Sequence, residues 1–94
     1  MLTHDKIVNA VNNAIKEFPL TKVTYFGSYA EGNATEQSDL DLLVEFDQKS
    51  VSIFTIIGLK QYMEDTLGIP VDVIHAPISS DSLISINNEV LVYG

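Results

Sequence analysis

The sequence predicts a single α/β domain spanning residues 1–94, on three observations. Helix-like and strand-like hydrophobic periodicities alternate along the chain; glycine, proline or small polar residues bound each segment; and no repeat, linker or low-complexity run divides it. A domain of 94 residues lies near the lower limit for independent folding and buries only roughly two-thirds of the surface its unfolded chain exposes. It has room for one core and no second, acceptor-binding domain.

In chain order, Ile7, Val8, Val11, Ala14, Ile15 and Phe18 recur at helical spacing behind a Thr3 cap, and Pro19 closes this first amphipathic helix. Lys22 to Phe26 is β-branched and aromatic and runs into Gly27-Ser28, the pattern of a strand ending in a tight turn, with a short helical turn from Ser28. Gly32 to Ser38 is small and polar, a loop before a second strand from Asp39 to Phe46 in which acids and aliphatics alternate. From Val51 to Leu67 the apolar residues Ile53, Phe54, Ile56, Ile57, Leu59, Met63 and Leu67 fit a helix stopped by Gly68 and Pro70. Its apolar surface is wider than one face, so it lies deep against a sheet or shares surface with another chain. Val71 to Ile74 follows as a third strand, Ser80 to Ile86 as a short helix, and Val90 to Tyr93 as a fourth, edge strand or a docking segment.

Composition removes several function classes. The net charge is −8, with thirteen acids against five lysines (Lys6, Lys16, Lys22, Lys49 and Lys60) and no arginine, so the chain repels a polyphosphate backbone and direct nucleic-acid binding is not expected. Any phosphate ligand must rely on divalent cations and backbone N–H groups. The absence of cysteine excludes disulfides, thiolate metal sites and a cysteine nucleophile. No stretch approaches the ~20 apolar residues that span a bilayer, and the N-terminal segment is broken by polar residues too often to be a secretion signal. The expectation is a cytoplasmic protein without membrane attachment.

The chemistry-bearing stretch is Gly27-Ser28, a polar loop, and Asp39-Leu40-Asp41. Side chains alternate along a strand, so Asp39 and Asp41 share a face one pleat apart, with Leu40 and Leu42 opposite. Two carboxylates so close repel unless a cation lies between them, and hard oxygen donors suit Mg²⁺ or Mn²⁺. Asp72, in the middle of another strand, is costly there unless it is paired, solvated or bound to a cation. Should its strand neighbour the second one, three carboxylates converge to hold two metals, the arrangement used for in-line phosphoryl chemistry. Gly27 lets backbone approach phosphate oxygens, Ser28 adds a hydroxyl, and the turn that follows offers free N–H groups.

Taken singly these signals are weak. An Asp-x-Asp pair is more often a solvated strand face, and it is the ordered combination that is specific. His75 is more simply a polar strand-end residue, and His4 a solvent-facing one. Tyr25, Tyr29, Tyr62 and Tyr93 are candidates for stacking on a base, with packing the commoner use. Glu45, Asp47, Glu64 and Asp65 are read as solubilising charges.

Gly27-Ser28, ten residues, then Asp39-Leu40-Asp41, followed by a strand Asp at position 72, resembles the signature of the minimal nucleotidyltransferases in the DNA polymerase β superfamily. The resemblance runs from the first helix through Ile74. It implies a palm-like fold, with a mixed three- to four-stranded sheet and helices mainly on one face. It also implies Asp39, Asp41 and Asp72 as catalytic residues and ligands of two Mg²⁺ (or Mn²⁺) ions, with Asp72 also the base, and Gly27 and Ser28 as the nucleotide-binding turn. Many single-domain members are antitoxins paired with a helical HEPN toxin, and some transfer AMP from ATP to a toxin tyrosine, as in a type VII-like toxin–antitoxin pair. The resemblance implies that role here. Two alternatives remain open at this level: a weak or inactive module that neutralises its partner by binding alone, and a small-molecule nucleotidyltransferase. Glu31 departs from the basic residue often found at this place.

Overall fold

The computed structural model describes residues 2–47, 51–75 and 89–94. Helix α1 (His4–Ala14), strand β1 (Leu20–Phe26), the single helical turn α2 (Ser28–Glu31), strand β2 (Leu40–Phe46), helix α3 (Ile53–Leu67), strand β3 (Val71–His75) and strand β4 (Val90–Tyr93) follow one another. The four strands form one mixed sheet in the order β3-β2-β1-β4. β1 runs antiparallel to β2 and β4, while β3 lies parallel to β2, as the α3 crossover between them requires. The expected mixed sheet is therefore present, and Val90–Tyr93 resolves as an edge strand. The helix expected over Ser80 to Ile86 lies outside the described residues.

One face of the sheet carries the core. Leu40, Leu42, Val44 and Phe46 alternate as the buried side of β2 and meet Ile7, Ala10, Val11 and Ala14 of α1 and Leu59 and Met63 of α3. Val23 and Tyr25 pair across from Val44 and Leu42 and extend this layer onto β1. α1 packs over β4 and α3 over β3, so both long helices cover the same face. Asp41, Leu43 and Glu45 occupy the intervening positions of β2 and so project from the opposite face.

The boundaries have local causes. The Thr3 hydroxyl accepts the Lys6 N–H at 3.3 Å and its carbonyl accepts the Ile7 N–H at 3.1 Å, so the expected cap is formed. Thr3→Ala should cost about 1 kcal/mol and lower the Tm by about 5 °C in a thermal melt. α3 starts two residues later than expected because Ser52 caps it, its hydroxyl accepting the Phe54 N–H. It ends at Gly68, whose φ of 73° closes the last turn. His4 is exposed, as expected, yet it is not free: its Nδ1 lies 2.8 Å from the buried Tyr25 hydroxyl, which fixes the first turn of α1 to the sheet. Burial raises the Tyr25 pKa and keeps this hydroxyl protonated. His75 stacks edge-on against Phe46 at 5.3 Å, in keeping with its reading as a strand-end residue.

Candidate active site

The site is built where β2 and β3 begin. Leu40 N–H donates to Pro70 C=O at 3.1 Å, which sets the parallel register so that Asp41 stands beside Asp72. Both occupy positions that alternate with buried residues, Leu40 and Leu42 for Asp41 and Val71 for Asp72, so both point away from the helices. Asp39 lies one residue before β2 rather than inside it, a small shift from the expected strand start.

Their electrostatics describe a site short of positive charge. Partial burial raises the Asp41 pKa, and so do the negative charges of Asp72 and Asp39 and a hydrogen bond shared with Asp72. Asp41 and Asp72 are thus brought into contact, and Asp39 is near enough for its charge to be felt. Among the described residues, no three His, Cys, Asp or Glu side chains are drawn together tightly enough to form a ready metal cage. The negative charges of Asp72 and Asp39 beside Asp41 make this a place where a further carboxylate charge is disfavoured. Hard oxygen donors whose mutual repulsion a divalent cation would relieve fit Mg²⁺ or Mn²⁺.

Gly27 brings the turn onto these carboxylates. β1 ends at Phe26, which pairs with Asp41, so the chain leaves the sheet directly beside it. Gly27 has φ 74° and ψ −150°, and a Cβ there would overlap the Asp41 carboxylate. Glycine is required twice, for its backbone angle and for the space it leaves. Its carbonyl accepts the N–H groups of Ala30 and Glu31, which closes α2, and no side chain caps that turn. Ser28 is half-buried at its start. The N–H groups of Ala30 and Glu31 are taken up by the Gly27 carbonyl, and those of Ser28 and Tyr29 before them are not. Glu31 is exposed at the far end of the turn.

Sequence reasoning gave Glu64 only a solubilising role and Lys60 none at the site. Lys60 Nζ lies 2.8 Å from Glu64 Oε2, and the same oxygen accepts the Val71 N–H at 3.0 Å, immediately before Asp72. Glu64 is therefore more than the solubilising charge expected of it: it satisfies an outward N–H of edge strand β3. These hydrogen bonds and the Lys60 charge hold its carboxyl below the usual range. The pairing with Glu64 raises the Lys60 pKa, to which Asp72 and Asp39 add. The i, i+4 spacing announces the pair, but only the crossover shows that it reaches the backbone beside Asp72. Glu64→Ala should slow any reaction that depends on Asp72 by about tenfold, the scale for losing a group that orients a ligand. Glu64→Gln, which keeps an acceptor for Val71, should recover most of that rate in a turnover assay.

An open cleft of about 240 Å³ lies between α1, α2 and the end of α3, lined by Leu2, Lys6, Tyr29, Glu36, Leu67 and Ile69. None of the three aspartates lines it. Tyr29, Tyr62 and Tyr93 pack against the core, and Lys22 is spent in a loose 3.9 Å contact with Glu45.

A four-stranded mixed sheet carrying a Gly-Ser turn over paired strand aspartates defines a class, and residues 6–91 match the family model for a nucleotidyltransferase domain. The chain belongs to that nucleotidyltransferase family. It is 37% identical over 78 residues to the protein adenylyltransferase MntA of Thermococcus cleftensis, covering 79% of this chain and 78% of that protein. A Methanocaldococcus jannaschii relative is 41% identical over 59 residues, which span 62% of this chain and only 59% of the relative. In fold, the chain is similar to one in the crystal structure of a toxin–antitoxin with AMP-PNP, with TM-score 0.77, 23% identity, 99% of this chain and 74% of that one. It is also similar to a chain in the structure of a tri-AMPylated Shewanella oneidensis HEPN toxin in complex with MNT antitoxin, with TM-score 0.64, 21% identity, 95% of this chain and 72% of that one. No helix among the described residues is long and apolar enough to cross a membrane.

Proposed function

We propose that this protein is a protein adenylyltransferase that moves AMP from ATP onto a hydroxyl, a tyrosine's, of a helical HEPN-type toxin, and thereby acts as its antitoxin in the cytoplasm. The observation that carries the reading is the register that sets Asp41 beside Asp72 while the Gly27 backbone packs on the same carboxylate. The adenylyltransferase name of the Thermococcus relative supports the reaction, and the toxin complexes among the fold neighbours support the partner.

Gly27 and Ser28 bind the triphosphate through backbone N–H groups and the serine hydroxyl. Asp39, Asp41 and Asp72 would hold the divalent cations, two of the Mg²⁺ type, whose chemistry there is to offset charge on the triphosphate and on the departing pyrophosphate. The acceptor hydroxyl enters from the face opposite the helices. Its oxygen forms a bond to the α-phosphorus as the bond to the pyrophosphate oxygen breaks, and its proton passes to Asp72, the more exposed of the paired aspartates. The acceptor comes from a partner because the domain itself presents the carboxylates on an open sheet face.

Intact-mass spectrometry of the partner after incubation with this protein, ATP and Mg²⁺ tests the reading. One or more AMP increments are expected, and none with the Asp39→Asn/Asp41→Asn double variant. An unchanged mass despite a stable complex would instead favour neutralisation by binding alone, a reading that the exposed Glu31 in place of a cation supports.

A further inference from the structure

The face of the sheet that carries the carboxylates has a second row of side chains beside them. Residues on one face recur at every second position, so the strand pairings can be followed across it. Asp72 pairs with Asp41 and Asp41 with Phe26; one step further along, Ile74 pairs with Leu43, Leu43 with Thr24 and Thr24 with Leu91. Ile74 is 40% exposed, Leu43 is half-buried beside it and Asp72 is exposed, so aliphatic side chains border the acids where a ligand can reach both. β1 runs toward Gly27 and β2 away from it. The Gly27-Ser28 turn therefore lies on one side of Asp41, and the row holding Leu43 and Ile74 lies on the other.

In-line displacement turns this order into a direction. The acceptor oxygen bonds to the α-phosphorus from the side opposite the pyrophosphate oxygen, whose bond breaks. With the outer phosphates held by the Gly27-Ser28 turn, the acceptor arrives from the side of Leu43 and Ile74. Successive rows on one strand face are about 7 Å apart, close to the length of a tyrosine side chain from Cβ to hydroxyl. A phenol whose oxygen reaches Asp72 thus lays its ring over Leu43 and Ile74. Serine or threonine, to put a hydroxyl in the same place, has to bring its own backbone amides down against two aliphatic side chains, where they lose water and gain no partner.

We propose that Leu43 and Ile74 are the platform for the acceptor ring and make this site select the hydroxyl of tyrosine over that of serine or threonine. The inference rests on the function proposed above and names the residues that give it acceptor specificity. Leu91 supplies an internal comparison: it stands in the same row and is barer than Ile74, at 53%, but lies two strands from β2, about 10 Å away.

The test uses two short peptides that differ only in a central tyrosine or serine. They are offered to the full chain with Mg²⁺ and ATP for transfer, and with Mg²⁺ and a non-hydrolysable ATP analogue for binding. The tyrosine peptide should be the better acceptor of the wild type. Ile74→Ala should raise the tyrosine peptide concentration for half-maximal transfer about tenfold, with the maximal rate held and the preference over serine reduced to match, the scale for trimming an apolar pocket. Leu43→Ala should act in the same direction and Leu91→Ala should not, with circular dichroism checking that each variant is folded. In NMR spectra the ring current of bound tyrosine should move the methyl signals of Leu43 and Ile74 and leave those of Leu91 in place. Equal use of both peptides by the wild type, a preference unchanged in both Ile74→Ala and Leu43→Ala, or Leu43 and Ile74 methyl signals that stay put would each overturn the proposal. Shifts confined to these two residues with no AMP gained on either peptide would leave the platform standing and refute the proposed reaction.

Discussion

Asp41→Asn should reduce nucleotide transfer about a thousandfold and at the same time raise the Tm of the cation-free protein at pH 7. The first effect follows from removing charge where a divalent cation supplies several kcal/mol of transition-state stabilisation. The second follows from the sheet: burial and the charges of Asp72 and Asp39 lift the Asp41 pKa above its unfolded value. A group shifted this way contributes stability that is fully present below the unfolded pKa and is lost as pH rises through the folded one. The cation-free wild type should therefore gain stability from Asp41 on acidification below neutrality, and the variant should lack that gain. Glu64 works in the opposite direction, since its depressed pKa favours the fold above the unfolded value. The difference between wild-type and variant melts across pH 4 to 8, an interval set by the ordinary carboxylate range and neutrality, cancels this contribution. Saturating Mg²⁺ should narrow the gap by binding the folded wild type. A variant that keeps its activity, or melts lower than wild type at pH 7, contradicts this account of the site.

The other large effect is expected at Gly27. Alanine there must adopt φ 74° with ψ −150°, a region that costs about 1–3 kcal/mol for a residue with a side chain, and its Cβ overlaps the Asp41 carboxylate. Either the Asp41 carboxylate rotates aside or the turn shifts, and both disturb the fit of the turn against the aspartates. Transfer should fall at least about 100-fold, the known sensitivity to misplacement by an ångström, and the Tm by about 10 °C. Gly32→Ala is the control. It carries milder strain, in the left-handed helical region at φ 78° and ψ 14°, and nothing lies within 4 Å of its Cβ, so it should lower the Tm by about 5 °C and leave most activity. Equal activity losses in the two variants would mean that backbone strain, not the fit against Asp41, is what matters.

Much of this was legible in the residues. Alternation of acids and leucines from Asp39 onward fixes which side of β2 faces the helices, and the structure buries Leu40, Leu42 and Val44 accordingly. Thr3, Gly68 and Pro70 mark helix ends through local geometry, which a linear sequence expresses directly. What depends on meetings across the chain was less so. His4 reaching Tyr25 and Glu64 reaching Val71 depend on strand order, which no single segment encodes, and the meeting of Asp41 with Asp72 was expected only on the condition that their strands neighbour or through the family resemblance. Of the two outcomes that the width of the α3 apolar surface left open, packing against the sheet is seen at Leu59 and Met63, while Ile53, Phe54 and Ile57 stay exposed.

The parallel pairing of β2 with β3 also governs when the site comes into being. Asp41 and Asp72 are 31 positions apart, and they meet only after α3 has formed and carried the chain back across the sheet. Contacts of such long sequence separation form late, once loop-closure entropy has been overcome. A nascent or partly unfolded chain therefore has the Gly27 turn and the Asp39–Asp41 pair but no complete carboxylate set. Any cation affinity of the three carboxylates together would be a property of the finished topology, and would report on complete folding rather than on any local segment.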